Sequence, residues 1–407
     1  MEQIVAVIDI GSTKVSCCIA SVAEDGNFNV LGTGYCACFG VKAGIITDIH
    51  LTGKSIAIVV ENAEKAAGFR IKSVFVSISG IYVTSEIINA ELNIGGRIIK
   101  QQDIDALLYQ KTSRNSIRSV IHAIPLMFEI DSIKCGPKPE GMFANILKAS
   151  VNVVSAPRVQ LNNLLICLSR CHLNVLGFVY SGLASGLSVL SNEIEQRNQI
   201  VVDFGGGVTS VNFFYNNLLS GLEIIPLGAK SITKDIAYGF NVSPENAERL
   251  KTLHGAAFVS SDDNKHMVLA PIQEEHNLIN LQQISKSELN RIIQPRVEEI
   301  IKLVKAKIDD SNFKSDFAKG VIITGGGSYL TGLRELMSET LKKPVEMKEL
   351  DMISENSGIH IGNDFATAIG MIKYAYLNRN PSYFDMDKDN KKNSFLKNAI
   401  NWIKNNL

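Results

Sequence analysis

The sequence predicts an α/β protein made of two related lobes, and three observations carry that reading. Residues 4–20 run IVAVIDIGSTKVSCCIA, with Asp9, Gly11, Ser12, Thr13 and Lys14 at the turn. Half a chain later, residues 198–214 run NQIVVDFGGGVTSVNFF, with Asp203, Gly205, Gly206, Gly207 and Thr209 at the turn. Each is an apolar run, an acid, a small-residue turn and a second apolar run, which is a β-hairpin with a carboxylate at its tip. The third observation is GVIITGGGSYLTGL at residues 320–333, a buried strand entering a glycine turn and then a helix.

The remaining elements follow in order. Residues 56–67 have helical spacing and stop at Gly68, and residues 74–78 form a short strand ending at Ser79-Gly80. Residues 81–155 are less regular and hold a Pro/Gly cluster at 135–141, with strands at 119–130 and 147–154. They read as a small inserted module. An amphipathic helix over 157–171 and a strand over 175–180 lead into Ser181-Gly182-Leu183-Ala184-Ser185. In the second half a helix covers 231–240, and Ser243 caps another that starts at Pro244. Residues 259–283 are polar and read as irregular. A long helix over 286–307 is expected to be interrupted or restarted at Pro295, and a core helix covers 365–376. From Asn378 the pattern dissolves into Asn, Asp, Lys and Pro, the composition of a linker.

Composition narrows the function classes. The 407 residues suffice for two or more cores. Lys+Arg and Asp+Glu both number 41, a balance that gives no pull toward nucleic acid. The seven cysteines lack metal-ligand spacing, so free thiols in a reducing compartment are expected. The N-terminus has no basic start and its apolar run ends at Asp9, unlike a signal peptide. No segment reaches the ~18–20 apolar residues of a membrane span.

Small residues at the hairpin tips let backbone N–H groups approach a phosphate, and a nearby carboxylate suits the Mg²⁺ that accompanies it. Taken alone, each glycine cluster also fits a tight turn. All three in this order resemble the two phosphate motifs and the adenosine motif of the actin/Hsp70/hexokinase superfamily. Ser181–Ser185 and Ala366-Thr367-Ala368-Ile369-Gly370 are similar to its two interdomain connectors. Ala-Glu-Arg-Leu-Lys at 247–251 is similar to the helix whose Glu and Lys reach the ribose and adenine, which implies contacts from Glu248 and Lys251. The same pair also fits an exposed i,i+3 salt bridge.

Within that superfamily the chain resembles the FtsA family of bacterial cell-division actin homologues. The stretches SGLASGLSVL (181–190), IPLGAKSITKDIAYGF (225–240) and LHGAAF (253–258) carry the likeness. HAIPLMFEID at 122–131 departs from the family at Leu126 and Met127, where polar residues are usual. The resemblance implies an actin-like two-lobed fold with ribonuclease H-like duplicated domains. The first lobe would comprise 1–80, 156–195 and 350–377, the inserted α/β subdomain 81–155 and the second lobe 196–349. A linker over 378–393 and an amphipathic helix over 394–407 would follow. ATP would be held by Asp9, Gly11, Ser12, Thr13, Lys14, Asp203, Gly205, Gly206, Gly207, Thr209, Glu248, Lys251, Gly325, Gly326, Gly327 and Ser328, with Asp9 and Asp203 meeting Mg²⁺ through water. The family further implies at most slow ATPase activity, self-assembly and recruitment of later division proteins through the insert. It also implies docking of the FtsZ C-terminal peptide on a small subdomain at about 230–300, where Arg296 and Glu299 are the candidate contacts.

The tail SFLKNAINWIKNNL can be read on its own. On a helix, Phe395, Leu396, Ala399, Ile400, Trp402, Ile403 and Leu407 fall within an arc of about 160°. An apolar stripe on a polar leash fits an in-plane anchor, with lysines at anionic head groups. A terminal helix packed on the body is the plainer alternative. Such an anchor is weak singly, so attachment would need several tails acting together. The expected location is peripheral, on the cytoplasmic face of the cell membrane at the division septum. The competing readings are a pilus-assembly actin relative and a small-molecule kinase of the same superfamily.

Overall fold

A computed structural model describes residues 3–109, 117–190, 198–273, 279–311, 320–350, 352–353 and 358–378. The linker and tail expected over 378–407 therefore lie, beyond Asn378, outside the described residues.

The first lobe opens with β1 (Gln3–Ile10), β2 (Lys14–Val22) and β3 (Phe28–Ala37), then the short pair β4 (Val41–Lys42) and β5 (Ile45–Ile46). Helix α1 (Ile49–Ala67) and β6 (Ser73–Ile78) follow. The helix starts earlier than its apolar spacing suggested. Asp48 accepts from the Leu51 N–H and caps it, and Gly68 ends it in the left-handed region at φ 82°. After the insert come α3 (Arg158–Arg170), β11 (Asn174–Tyr180) and α4 (Ser181–Val189). The sheet runs β11-β6-β1-β2-β3, with the hairpin strands antiparallel and β6 and β11 parallel to β1.

The insert is β7 (Thr84–Ile98), α2 (Gln101–Tyr109), β8 (Arg118–Ile130), β9 (Ile133–Cys135) and β10 (Phe143–Pro157), with its own sheet in the order β7-β10-β8-β9. It has a separate core around Ile104, Leu107, Phe128 and Leu147. The long strand β7 was not visible as a pattern, because Ala90 and Ile94 are its only fully buried apolar residues.

The second lobe repeats the first. Strands β12 (Gln199–Phe204), β13 (Thr209–Tyr215) and β14 (Leu218–Ile225) lead to α5 (Ala229–Phe240) and α6 (Pro244–His254), the latter capped by Ser243 as expected. Then come β15 (Met267–Gln273), β16 (Ile279–Ser285), α7 (Lys286–Asp309), β17 (Val321–Thr324), α8 (Leu333–Leu341) and β18 (Val345–Met347). The sheet order β14-β13-β12-β17-β18 has the pairing senses of the first lobe. The chain returns through β19 (Met352–Ile353) and β20 (His360–Ile361) to α9 (Ala366–Leu377) on the first lobe.

Two expectations need correction. Residues 259–283 are not irregular throughout: β15 and β16 form an antiparallel hairpin there. Its buried Val268, Ala270 and Ile284 are matched by exposed Met267, Leu269 and Leu281, so no alternation marks it. Helix α7 also runs unbroken through Pro295. Pro295 is exposed, so the carbonyl it leaves unpaired one turn back can meet water while Ile293 and Val297 stay buried. A capping box between Ser285 and Glu288 starts this helix.

Helices α4 and α9 cross between the sheets, and the crossing is close because small residues line it. A Cβ on Gly370 would stand 1.6 Å from the Ala184 carbonyl oxygen, and one on Gly186 would stand 2.1 Å from the Phe214 ring. Neither neighbour can give way cheaply, the first being backbone and the second a fully buried ring. Gly370→Ala is therefore expected to cost about 2–3 kcal/mol, at the upper end of overpacking effects, in urea unfolding. An alanine variant as stable as wild type would show that the crossing is not tight.

Candidate functional site

The site lies where the two hairpins face each other. Asp9 is the penultimate residue of β1 and Asp203 that of β12, so both carboxylates stand just before a glycine turn. The turns touch. A Cβ on Gly206 would lie 2.4 Å from Thr13 Oγ1, and one on Gly207 would lie 2.3 Å from Ser12 Oγ. Only glycine lets the second turn come this near the hydroxyls of the first. The third cluster closes the same space. Gly325 has φ 83°, and a Cβ there would lie 2.3 Å from Asp203 Oδ1, whereas one on Gly326 would meet only Asp364 Cβ, at an ordinary 3.7 Å.

Together they bound a cleft of about 290 Å³ lined by Asp9, Gly11, Ser12, Thr13, Lys14, Asp203, Gly205, Gly206, Gly207, Glu248, Lys251, Gly325, Gly326 and Gly327. That is the lower end for a small-molecule site, roughly 300 Å³ and upward. Two of the expected contacts do not line it. Thr209 is fully buried and its hydroxyl donates to the Leu227 carbonyl at 2.9 Å, because strand alternation turns it away from the cleft. Ser328 is also buried and donates to the Gly325 carbonyl at 2.7 Å, so it braces the turn from behind. Ser79, Ser181, Lys230, Tyr329 and Asp364 also line the cleft; Ser181, Lys230 and Tyr329 lie in stretches the sequence singled out without a nucleotide contact being assigned to them, whereas no local motif announces Asp364.

Burial dominates the electrostatics. It raises the Asp9 carboxyl above its ordinary range, against a hydrogen bond from Ser77 and the charge of Lys14. It pushes Asp203 up to about 6, opposed by a hydrogen bond with Ser185 and reinforced by the charge of Asp9. Two desolvated carboxylates of like charge suit a cation, which would relieve both penalties. Among the described residues no group of three or more His, Cys, Asp or Glu forms a metal cluster. A cation here would thus keep much of its water, as Mg²⁺ does.

Lys14 lines the cleft with its charge already paired. Its Nζ donates to the Asp364 carbonyl at 2.5 Å and to Asp364 Oδ2 at 2.7 Å, and it sits 3.8 Å over the Phe365 ring. Lys251 and Glu248 do form an i,i+3 pair at 2.7 Å, with the carboxylate at the surface and only the lysine buried. Lys251 is buried and also donates to Thr233 Oγ1 and the Ala229 carbonyl, and Glu248 accepts from Thr233 Oγ1 at 2.5 Å. Burial pulls the Lys251 ammonium down and Glu248 counters it. Away from the cleft, Arg296 pairs with Asp235 on α5 at 2.6 Å and with Glu299.

This architecture is that of the actin-like two-lobed proteins. A PilM-PilN type IV pilus biogenesis complex has a chain that superposes with TM-score 0.66 at 16% identity, covering 92% of this chain and 99% of that one. MreB5 of Spiroplasma citri bound to ADP gives TM-score 0.52 at 11% identity, covering 93% and 99%. Sequence identifies the branch. The family model for cell division protein FtsA matches residues 200–370, and that for the SHS2 domain inserted in FTSA matches residues 80–155. Cell division protein FtsA of Agrobacterium fabrum is 31% identical over 385 residues, covering 92% of this chain and 87% of that protein. Those of Pseudomonas aeruginosa and Escherichia coli are each 26% identical, over 98% and 92% of this chain and 97% and 90% of theirs. The chain belongs to the FtsA family of cell division proteins.

The raised Asp203 carboxyl makes a stability prediction. A carboxyl that holds its proton more tightly folded than unfolded contributes stability present below about pH 4, and lost as pH rises through about 6. Asp203→Asn is neutral throughout. It should match wild type near pH 4 and exceed it by up to about 3 kcal/mol at pH 8 without ligand, at ~1.36 kcal/mol per unit. Thermal unfolding of both proteins from pH 4 to 8 measures this; a gain independent of pH would contradict the assignment.

Proposed function

We propose that this protein is an ATP-binding division protein that self-assembles and tethers FtsZ filaments to the cytoplasmic membrane. The observation that carries the reading is the meeting of two carboxylate-tipped glycine hairpins around one cleft, in a chain of the FtsA family. Asp9 and Asp203 hold Mg²⁺ through water, and the cation neutralises phosphate charge when bound. Gly11, Ser12, Thr13, Gly205, Gly206 and Gly207 surround the phosphates, while Glu248, Lys251, Gly326 and Gly327 border the nucleoside. A structural neighbour bound to ADP supports the choice of nucleotide. Bound ATP biases lobe closure and therefore contacts between protomers. Turnover is at most slow.

The FtsZ C-terminal peptide docks on the small subdomain of the second lobe, near Arg296 and Glu299. Arg296 is largely committed to Asp235, so Glu299, half exposed, is the freer of the two. The insert meets later division proteins and neighbouring protomers. The helix over 394–407 places Phe395, Leu396, Ile400, Trp402, Ile403 and Leu407 in the cytoplasmic leaflet of the cell membrane at the septum. Among the described residues no helix is long and apolar enough to cross a membrane.

Two measurements test this reading. Asp203→Ala should abolish most of the gain in ATP affinity that Mg²⁺ gives wild type; equal affinities with and without Mg²⁺ in both proteins would refute the cation site. A chain lacking residues 394–407 should stop sedimenting with anionic liposomes, and retained sedimentation would sink the anchoring role.

A further inference from the structure

Behind the cleft lies a second, smaller cavity of about 10 Å³, enclosed by the end of β1, the β4–β5 hairpin, the end of β6 and the first turn of α3. Its walls include Ile10, Val41, Ile46 and Leu164, but three polar side chains also line it: Ser77, Ser79 and Gln160. Gln160 interrupts the buried face that α3 otherwise makes from Leu161, Leu164, Cys167 and Leu168. It is 8% exposed, and neither its Nε2 nor its Oε1 has a hydrogen-bond partner among the described residues. Leucine would complete the apolar stripe there without the loss of hydration. A buried amide is rarely left unpaired, because nothing then offsets that loss. The cavity is the size of one water molecule.

Ser77 connects this cavity to the cleft. Its Oγ accepts the Ile10 N–H at 2.9 Å, and its hydroxyl hydrogen-bonds the Asp9 carboxylate. One acceptor position on Oγ remains. Ser79 lines both the cavity and the cleft.

We propose that one buried water bridges Gln160 to Ser77, and that this bridge holds the Asp9 carboxylate in the orientation its cation needs. The water accepts from the Gln160 amide N–H and donates to Ser77 Oγ, so the Ser77 hydroxyl proton stays directed at Asp9. Gln160 is then a positioning residue that touches neither cation nor nucleotide. The water bridge stands on the cavity and the unpaired amide; the positioning role rests on the cation site proposed above.

The test uses the full chain. High-resolution crystals should show an ordered water within hydrogen-bond distance of Gln160 and Ser77, absent in Gln160→Leu. ATP affinity is measured with and without Mg²⁺. Gln160→Leu should lower the Mg²⁺-dependent gain about tenfold, as loss of an outer-shell partner does, and leave Mg²⁺-free affinity unchanged. Ser77→Ala should do the same, and the double variant should lose no more than either single one. Gln160→Met gives the same readings should leucine impair folding. A site without water density overturns the bridge, and an undiminished Mg²⁺ gain in Gln160→Leu overturns the positioning role. Wild-type protein that gains nothing from Mg²⁺ removes the cation site and the positioning role with it, and the density then decides the bridge alone.

Discussion

The crossing of α4 and α9 sets the geometry on which the cleft depends. These helices carry the chain from one lobe to the other and back, and their backbones nearly touch at Gly370 and Ala184. Apolar side chains at this point would separate the sheets. The hairpin tips would then part as well, since Gly206 and Gly207 sit directly against Thr13 and Ser12. The cleft is narrow because its hinge is built from residues without bulk.

That narrowness has an electrostatic consequence. It removes Asp9 and Asp203 from water, which raises both carboxyls, and the charge of Asp9 raises Asp203 further. The folded chain without ligand therefore carries an unfavourable interaction at its centre. Such a term is available to a ligand that brings positive charge, and it biases the lobes toward whichever spacing accommodates that ligand.

The insert is not an isolated appendage. The Tyr180 N–H donates to His122 Nε2 at 2.9 Å, and burial holds His122 neutral, down to about 3. The Tyr180 hydroxyl in turn donates to Asn212 Oδ1 on the second lobe, also at 2.9 Å. Asn152 Nδ2 of the insert also reaches the Leu219 carbonyl of the second lobe directly. A residue at the foot of the connector helix thus joins the insert and both lobes through buried hydrogen bonds, which a change in lobe spacing would strain.

The sequence alone determined the two hairpins, the third glycine turn and most helices, because these are written in short-range patterns: apolar alternation, the cap at Ser243, and small residues at turns. It also brought most cleft residues to light, since Asp9, Gly205 and Gly326 sit inside those motifs. What it left open depends on contacts between distant segments. Lys14 lines the cleft as expected, but its partner Asp364 comes from a segment 350 residues away. Thr209 and Ser328 belong to the motifs yet face away from the cleft, bonded to the Leu227 and Gly325 carbonyls. Pro295 looked like a break, and its exposure lets the helix continue. Asp364 reaches the cleft from a segment that no local motif marks. Local periodicity fixes which way a chain turns, whereas the partner a side chain meets across a cleft is decided by packing between elements that no short window of sequence contains.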